Sequence, residues 1–320
     1  MYYPLLRGKQ FELKALREFS DEHPNASCII PVIEPVNANY NPLCAAVQKL
    51  IENQIHFALI LNPKEGDFKH IRFDVANNIP ILGEQSDEWL PAYIFKNNTE
   101  ELNEAINESA SQNIMLVFKN PIDFTEDASV QTLVQNHKVS HIVFNNDNSM
   151  SRRSKSFLRS LGKCIIGLND CFNEKPRNVD YIGEEDEFFS EMPFYYLEDQ
   201  LQGFSDYTAL SSKYIEGGMM PYALAIHLTY KKNSDSIHIH HFVSDSNRTR
   251  ADIRGKFNEA AQKILHYYQD NGITITTAVQ DIMNRVNGGE GYPGLGYLKK
   301  LSILNHMELV YNILQSDVNQ

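Results

Sequence analysis

The chain has 320 residues, of which 42% are hydrophobic and 22% charged, a balance that fits a folded protein and argues against a disordered one. Its formal net charge of −12 argues against a protein whose main task is to coat nucleic acid, because phosphate binding depends on excess Lys and Arg. The four cysteines include no C-x-x-C pair, and no apolar run approaches the ~20 residues that span a bilayer. We therefore expect a reducing, cytoplasmic location and no membrane partner.

Short apolar runs that end in polar residues recur along the chain. The runs predicted to be strands are 28–35, 56–63, 90–97, 113–121, 140–147, 163–170, 203–210 and 222–230. Their nearly continuous apolar character is typical of parallel strands that are covered on both faces. Segments between them, such as PLCAAVQKLIENQ and SRRSKSFLRSLG, have apolar residues three and four apart, which predicts helices. This alternation indicates an α/β fold.

Eight predicted strands favour a (β/α)8 TIM-like barrel, because eight parallel strands close without free edges. A long acidic and aromatic loop is expected after the sixth predicted strand, at 171–202. An open doubly wound sheet is the alternative. The C-terminal sequence predicts extra amphipathic helices, and no linker precedes them. We expect a single barrel-like domain over 1–320, with the barrel in 1–230 and the last crossover and a helical cap in 231–320.

Several motifs resemble those of the bacterial and phage "beta protein" family. The opening YYPLLRGKQFELKAL and the following IIPVIEP resemble the family's start, and GFSDYTAL, AIHLTYK and GYLKKLSILNHMEL follow in the same order. The resemblance covers nearly the whole chain and implies a cytosolic, barrel-like protein from mobile or phage-related gene neighbourhoods, with a link to phage defence and no activity to transfer. The family's motif positions correspond here to Arg7, Lys9, Glu12, Glu34, Asp170, Arg177, Asn178, Asp180, Asp206 and His227.

The ends of the predicted strands carry the candidate functional residues, because the carboxyl ends of barrel strands converge at one mouth. The residues expected to be catalytic are Glu34, Asp170, Asp206 and His227. The cations expected to bind substrate are Arg7, Lys9, Lys119 and Arg177. Carboxylates, ammonium groups and an imidazole together predict a hydrolase of a phosphorylated or nucleotide-like substrate.

A divalent cation such as Mg²⁺ is expected at the same place. Glu34, Asp170 and Asp206 are its predicted ligands, since a cation would offset the repulsion among three carboxylates. Each residue also has a structural interpretation, because polar residues at strand ends satisfy turns and cap helices. Glu34 fits that interpretation least well, since it lies between prolines in PVIEP.

The alternative function is a non-catalytic module that binds a protein, such as the product of a neighbouring gene in a defence or mobile-element system. The loop at 171–202 would supply the aromatic anchors that interfaces favour, namely Phe172, Phe188, Phe189, Phe194, Tyr195 and Tyr196. Nucleic-acid binding through the basic clusters SRRSKSFLR and NRTRADIRGK is a third possibility, which a steep salt dependence would reveal.

Overall fold

The computed structural model describes residues 1–84, 88–146, 150–217 and 220–318. The strands are β1 (Leu5–Arg7), β2 (Val32–Glu34), β3 (Phe57–Ile60), β4 (Trp89–Ile94), β5 (Ile114–Phe118), β6 (Val139–Asn145), β7 (Cys164–Asn169), β8 (Asp186–Ser190), β9 (Gly203–Asp206), β10 (Ala225–Lys231) and β11 (Ile237–Val243). Asp147, the last residue of the predicted run at 140–147, lies outside the described residues.

The helices alternate with the first strands and then follow the last ones. They are α1 (Gln10–Glu22), α2 (Asn41–Glu52), α3 (Val75–Asn78), α4 (Ile81–Glu84), α5 (Thr99–Glu108), α6 (Ala128–Gln135), α7 (Arg152–Ser160), α8 (Met192–Tyr195), α9 (Ile253–Asn271), α10 (Thr277–Asn287) and α11 (Leu295–Val318). Side-chain caps begin several of them, as where Ser151 accepts from the Ser154 amide at α7. None of the described helices is long and apolar enough to cross a membrane.

The first compact unit comprises residues 1–13, 20–170 and 195–207. Its parallel sheet has the order β1-β2-β3-β4-β5-β6-β7-β9. The segment before β1 brings the two edges of this sheet together: Tyr2 bridges Phe204 of β9, and the Tyr3 amide donates to the Phe204 carbonyl at 2.8 Å. The unit is a nearly closed (β/α)8 TIM-like barrel, which confirms the predicted fold class.

The identity of one barrel strand differs from the prediction. The assignment of 222–230 to the eighth barrel strand is wrong, because β10 pairs antiparallel with β11 in a second sheet. The missing barrel strand is β1, which lies before the first predicted strand and was not predicted. A strand of three residues is too short to show a period, so its sequence carried no strand signal. Because β1 precedes the predicted strands, the long insertion follows β7.

Alternate residues of the barrel strands fill the barrel interior. The buried apolar cluster there includes Leu5, Val32, Ile60, Ile94, Val117, Val143, Leu168 and Tyr207. Since side chains alternate between faces along a strand, the residues two positions further on face the same interior at the carboxyl ends. We call these residues, with Tyr207, the mouth layer: Arg7, Glu34, Asn62, Lys96, Lys119, Asn145 and Asp170. An apolar interior is thus capped by a polar layer.

Gly203 permits the close approach at which the barrel seam forms. A Cβ atom there would lie 2.5 Å from Tyr3 Cε2 and 3.0 Å from the Met1 carbonyl oxygen. We expect Gly203→Ala to lower the free energy of unfolding by about 1–3 kcal/mol, as overpacking does, measured by denaturant unfolding. Gly83→Ala is the control, because nothing lies within 4 Å of a Cβ there. Equal stability of the two variants would contradict the seam.

The second compact unit comprises residues 14–19, 171–194 and 208–320. Its antiparallel sheet has the order β10-β11-β8. Helix α11 packs against β10 and helix α9 against β11, and α10 contacts both helices. The expected C-terminal helices are therefore present. The expectation of a single domain over the whole chain stays a prediction.

Candidate functional site

Glu34 is the most deeply buried charge of the mouth layer. It ends β2, is 0% exposed, and its Oε2 accepts a charge-assisted hydrogen bond from the Lys119 ammonium at the end of β5. Its other carboxylate oxygen, Oε1, is also buried and has no hydrogen-bond partner among the described residues. A buried acceptor without a partner is costly, so its presence points to a ligand or a reacting group.

A second lysine of the mouth layer lies in the electrostatic field of this pair. Burial lowers the pKa of Lys96, the negative charge of Glu34 partly offsets that effect, and the positive charge of Lys119 adds to it. The Lys96 ammonium is therefore a better proton donor than an ordinary lysine. Lys96 follows β4 and was absent from the predicted site.

Arg7 and Tyr207 complete the buried part of the layer. Arg7 pairs in register with Glu34 on the neighbouring strand, is 7% exposed, and its guanidinium carbon lies 5.7 Å from the centre of the Tyr207 ring. Burial raises the pKa of Tyr207, and the fields of Asp170 and Glu34 act in the same direction. Tyr207 thus remains a neutral phenol.

Two asparagines of the mouth layer are structural. Asn62 forms two hydrogen bonds with the backbone of β4. Its Nδ2 donates to the Ile94 carbonyl at 2.9 Å, and its Oδ1 accepts from the Ile94 amide at 2.8 Å. The Nδ2 of Asn145 donates to the Lys119 carbonyl at 2.9 Å. Both side chains fix the backbone near the lysines, so the charges of the layer sit on a rigid frame.

Asp170 and Asp206, predicted to act beside Glu34, differ in their placement. Asp170 is an exposed residue of the mouth layer. Asp206 is 3% exposed and accepts a 2.6 Å hydrogen bond from the Tyr2 hydroxyl. Since Tyr207 belongs to the interior cluster, its neighbour Asp206 faces the other side of the strand. The structure therefore does not bring Asp206 to Glu34.

The remaining predicted residues fall in three places. Lys9 lies in the loop after β1, where its amide donates to the Arg7 carbonyl. Arg177 belongs to the second unit and forms a 2.6 Å ion pair with Asp180, while its side chain is 74% exposed. His227 lies on β10 of the second unit and not at the end of a barrel strand. Of the predicted set, the barrel mouth brings together Arg7, Glu34, Lys119 and the more exposed Asp170.

The three predicted metal ligands do not converge on one point. Among the described residues, Glu34, Asp170 and Asp206 do not form a group whose ligand atoms all lie within 4.8 Å of one another. Lys119 takes one oxygen of Glu34, and Tyr2 takes one oxygen of Asp206. The donor set does not fit a divalent cation as it stands.

Tyr207 is a further mouth residue that the predicted site did not include. The available signal was the alternation of Gly203, Ser205 and Tyr207, because a glycine that faces the seam marks the inward positions of its strand. Asp206 was predicted because it is a carboxylate. Side chains alternate between the two faces of a strand, however, so its neighbour Tyr207 is the residue that faces inward.

Comparison with protein-family models, curated proteins and solved structures found no match for this chain. The resemblance to the "beta protein" family therefore stays a prediction.

Proposed function

We propose that the mouth layer binds a phosphorylated, nucleotide-like substrate and hydrolyses its phosphoric ester. The observation that carries the proposal is the buried, unpartnered Oε1 of Glu34 beside the Lys119 ammonium. Arg7, Lys96 and Lys119 supply the positive charge that phosphate oxygens require. Hydrolases of this kind need a proton acceptor next to an anion-binding group, and Glu34 with Lys119 provides both.

The proposed reaction uses each of these groups once. A water molecule attacks phosphorus, and Oε1 of Glu34 takes its proton as the new P–O bond forms. The ester P–O bond breaks, and the Lys96 ammonium protonates the departing oxygen. Lys119 and Arg7 stabilise the negative charge on the remaining phosphoryl oxygens throughout. Water is consumed, and an alcohol and a phosphate are released. The proton on Glu34 is then lost to solvent and Lys96 takes one up, which restores both groups.

Inorganic phosphate should bind to the mouth layer and raise the melting temperature. At a concentration ten times its dissociation constant, we expect about 1.4 kcal/mol of stabilisation, or ~2–4 °C. Lys96→Met should remove most of this shift, because it deletes a cation of the site. Differential scanning fluorimetry with a phosphate titration measures the effect.

Lys155→Met is the matched control for this titration, since Lys155 lies on helix α7 and its loss removes the same charge. A phosphate shift that survives Lys96→Met and is lost in Lys155→Met would place anion binding elsewhere. Titration with Mg²⁺ and Mn²⁺ tests the predicted divalent cation. Stabilisation by either ion that Glu34→Gln abolishes would support metal binding at Glu34.

The alternative of a protein-binding module rests on fewer exposed aromatic residues than the sequence predicted. Phe189 is 3% exposed, and the Phe172 ring packs edge-on against Tyr181. Phe188, on β8, is 56% exposed and is the most exposed of the six predicted anchors, while Phe194, Tyr195 and Tyr196 are half-buried. A role in phage defence is compatible with both functions, and plaque assays with Glu34→Gln and Phe188→Ser variants would distinguish them.

A further inference from the structure

The second unit contains a cleft that the proposed hydrolysis does not use. It has a volume of about 520 Å³, and its lining residues come from β11, from helix α9 and from the segment just before β8. That segment is held against β11, because the His241 amide donates to the Glu185 carbonyl at 2.7 Å. Clefts of roughly 300–1,000 Å³ have the size that holds a small organic molecule.

Aromatic rings form a rigid part of the cleft lining. The His240 ring lies against the Tyr267 ring at a centroid distance of 4.0 Å and against the Phe242 ring at 4.3 Å. The Tyr267 hydroxyl is hydrogen-bonded to the Tyr230 hydroxyl at 2.8 Å, which fixes the ring. Ile182 also lines the cleft and is 51% exposed. An apolar ligand surface that covers these groups would be removed from water together with them.

The charged groups of the cleft leave an excess of negative charge. Three carboxylates line it, those of Glu185, Asp245 and Asp270, against the one lysine Lys263. Lys263 is already engaged, since its ammonium donates to Asp245 at 2.7 Å and to the Val243 carbonyl at 2.8 Å. Glu185 and Asp270 form no ion pair within the described part of the chain. The cleft therefore favours a cation over an anion.

Two side chains of the cleft are suited to accept hydrogen bonds. The Gly183 amide donates to Oε1 of Glu185 at 2.9 Å, and this bond lowers the pKa of Glu185, so its side chain is a carboxylate at neutral pH. Burial lowers the pKa of His240 to about 4, so its ring is neutral and has one acceptor nitrogen. Nδ1 of His240 is buried and makes no hydrogen bond to any described residue.

The spacing of these groups distinguishes an organic cation from a metal ion. A metal ion needs several ligand atoms at about 2.0–2.6 Å from one point. Among the described residues, no three metal-ligand atoms of the cleft lie within 4.8 Å of one another. An organic cation has no such requirement, because its charged group and its apolar body contact different parts of the lining.

We propose that this cleft binds a small organic ammonium ion with an aromatic body. The ammonium group donates charge-assisted hydrogen bonds to the Glu185 carboxylate, and Asp270 adds negative charge. The aromatic body lies against Tyr267 and Ile182. The inference is independent of the proposed hydrolysis, since all of these residues belong to the second unit and the mouth layer belongs to the first.

Phenethylamine is the probe for the first test, in which isothermal titration calorimetry at pH 7 measures its dissociation constant. 2-Phenylethanol and phenylacetate are the controls, because they carry the same ring with a neutral and a negative group. The amine should bind at least about tenfold more tightly than the alcohol, the size expected for a hydrogen bond to a charged group. Equal binding of amine and alcohol, tighter binding of phenylacetate, or no binding of the amine overturns the proposal.

The second test locates the bound amine. Glu185→Gln should weaken phenethylamine binding by about tenfold, because it removes the charge and keeps the acceptor for the Gly183 amide. Glu191→Gln is the matched control, since Glu191 is an exposed carboxylate of the same unit that does not line the cleft. In the wild type, phenethylamine should shift the NMR signals of the His240 and Tyr267 ring protons. Unmoved ring signals, or an equal loss of affinity in Glu191→Gln, would contradict binding in this cleft.

Discussion

Replacing Lys119 by methionine should lower the free energy of unfolding by about 3–5 kcal/mol, because it leaves a buried carboxylate without its ion-pair partner. Glu34 is 0% exposed, whereas the Lys119 side chain is 21% exposed, so the cost falls on the carboxylate that water cannot reach. Equilibrium unfolding in urea, followed by fluorescence and circular dichroism, measures the loss.

Two further variants separate the ion pair from general effects of charge. Lys96→Met should cost less than about 1 kcal/mol, since Lys96, although its ammonium is partly desolvated, is more exposed than Lys119 and forms no ion pair in the described part of the chain. The double variant Lys119→Met with Glu34→Met should recover much of the lost stability, because an apolar pair of similar volume replaces a buried ion pair well. Additive losses in the double variant would mean that the charges contribute independently.

Glu34→Gln should lower the rate of phosphoric-ester hydrolysis by about 10²–10⁴-fold, the usual contribution of a general base. The amide keeps the shape of the side chain and still accepts from Lys119, but it takes no proton from water. The same substitution removes a negative charge from a cationic layer, so inorganic phosphate should bind at least as tightly as before. Opposite effects on turnover and on binding are therefore expected.

A screen with p-nitrophenyl phosphate and bis-p-nitrophenyl phosphate provides the turnover measurement. Glu100→Gln is the control, because Glu100 is an exposed residue in the first turn of α5. Full activity of Glu34→Gln would reduce Glu34 to a structural counter-ion of Lys119. Tighter phosphate binding without turnover in the wild type would indicate an anion-binding module instead of a hydrolase.

The barrel could be predicted because its strands and helices differ in period. Runs such as 113–121 are continuously apolar, and helices such as α7 repeat every three to four residues, so the alternation is visible without tertiary information. β1 was missed for the opposite reason. β1 pairs with β2, and Tyr2 just before it bridges Phe204, and so short a segment records neither contact in its own sequence.

The site could be predicted only in part. Glu34 and Lys119 were found because they directly follow apolar runs, yet their mutual contact depends on β2 and β5 facing each other across the barrel interior. The position of His227 followed from counting β10 as a barrel strand, so the error in topology moved one candidate to the wrong site. Asp206 shows a different limit. Adjacent residues of a strand face opposite sides of the sheet, so an error of one position in the predicted register exchanges an inward side chain for an outward one.

The pairing of the first residues with β9 has a consequence for synthesis. Tyr2 and Asp206 are hydrogen-bonded across a separation of 204 positions. A ribosome that adds roughly 5–20 residues per second needs about 10–40 s to reach β9. Until then the nascent sheet keeps two open edges, at β1 and at β7, which are templates for pairing with other chains. The time for which chaperones must shield the open sheet edges is therefore set by the number of residues between Tyr2 and β9.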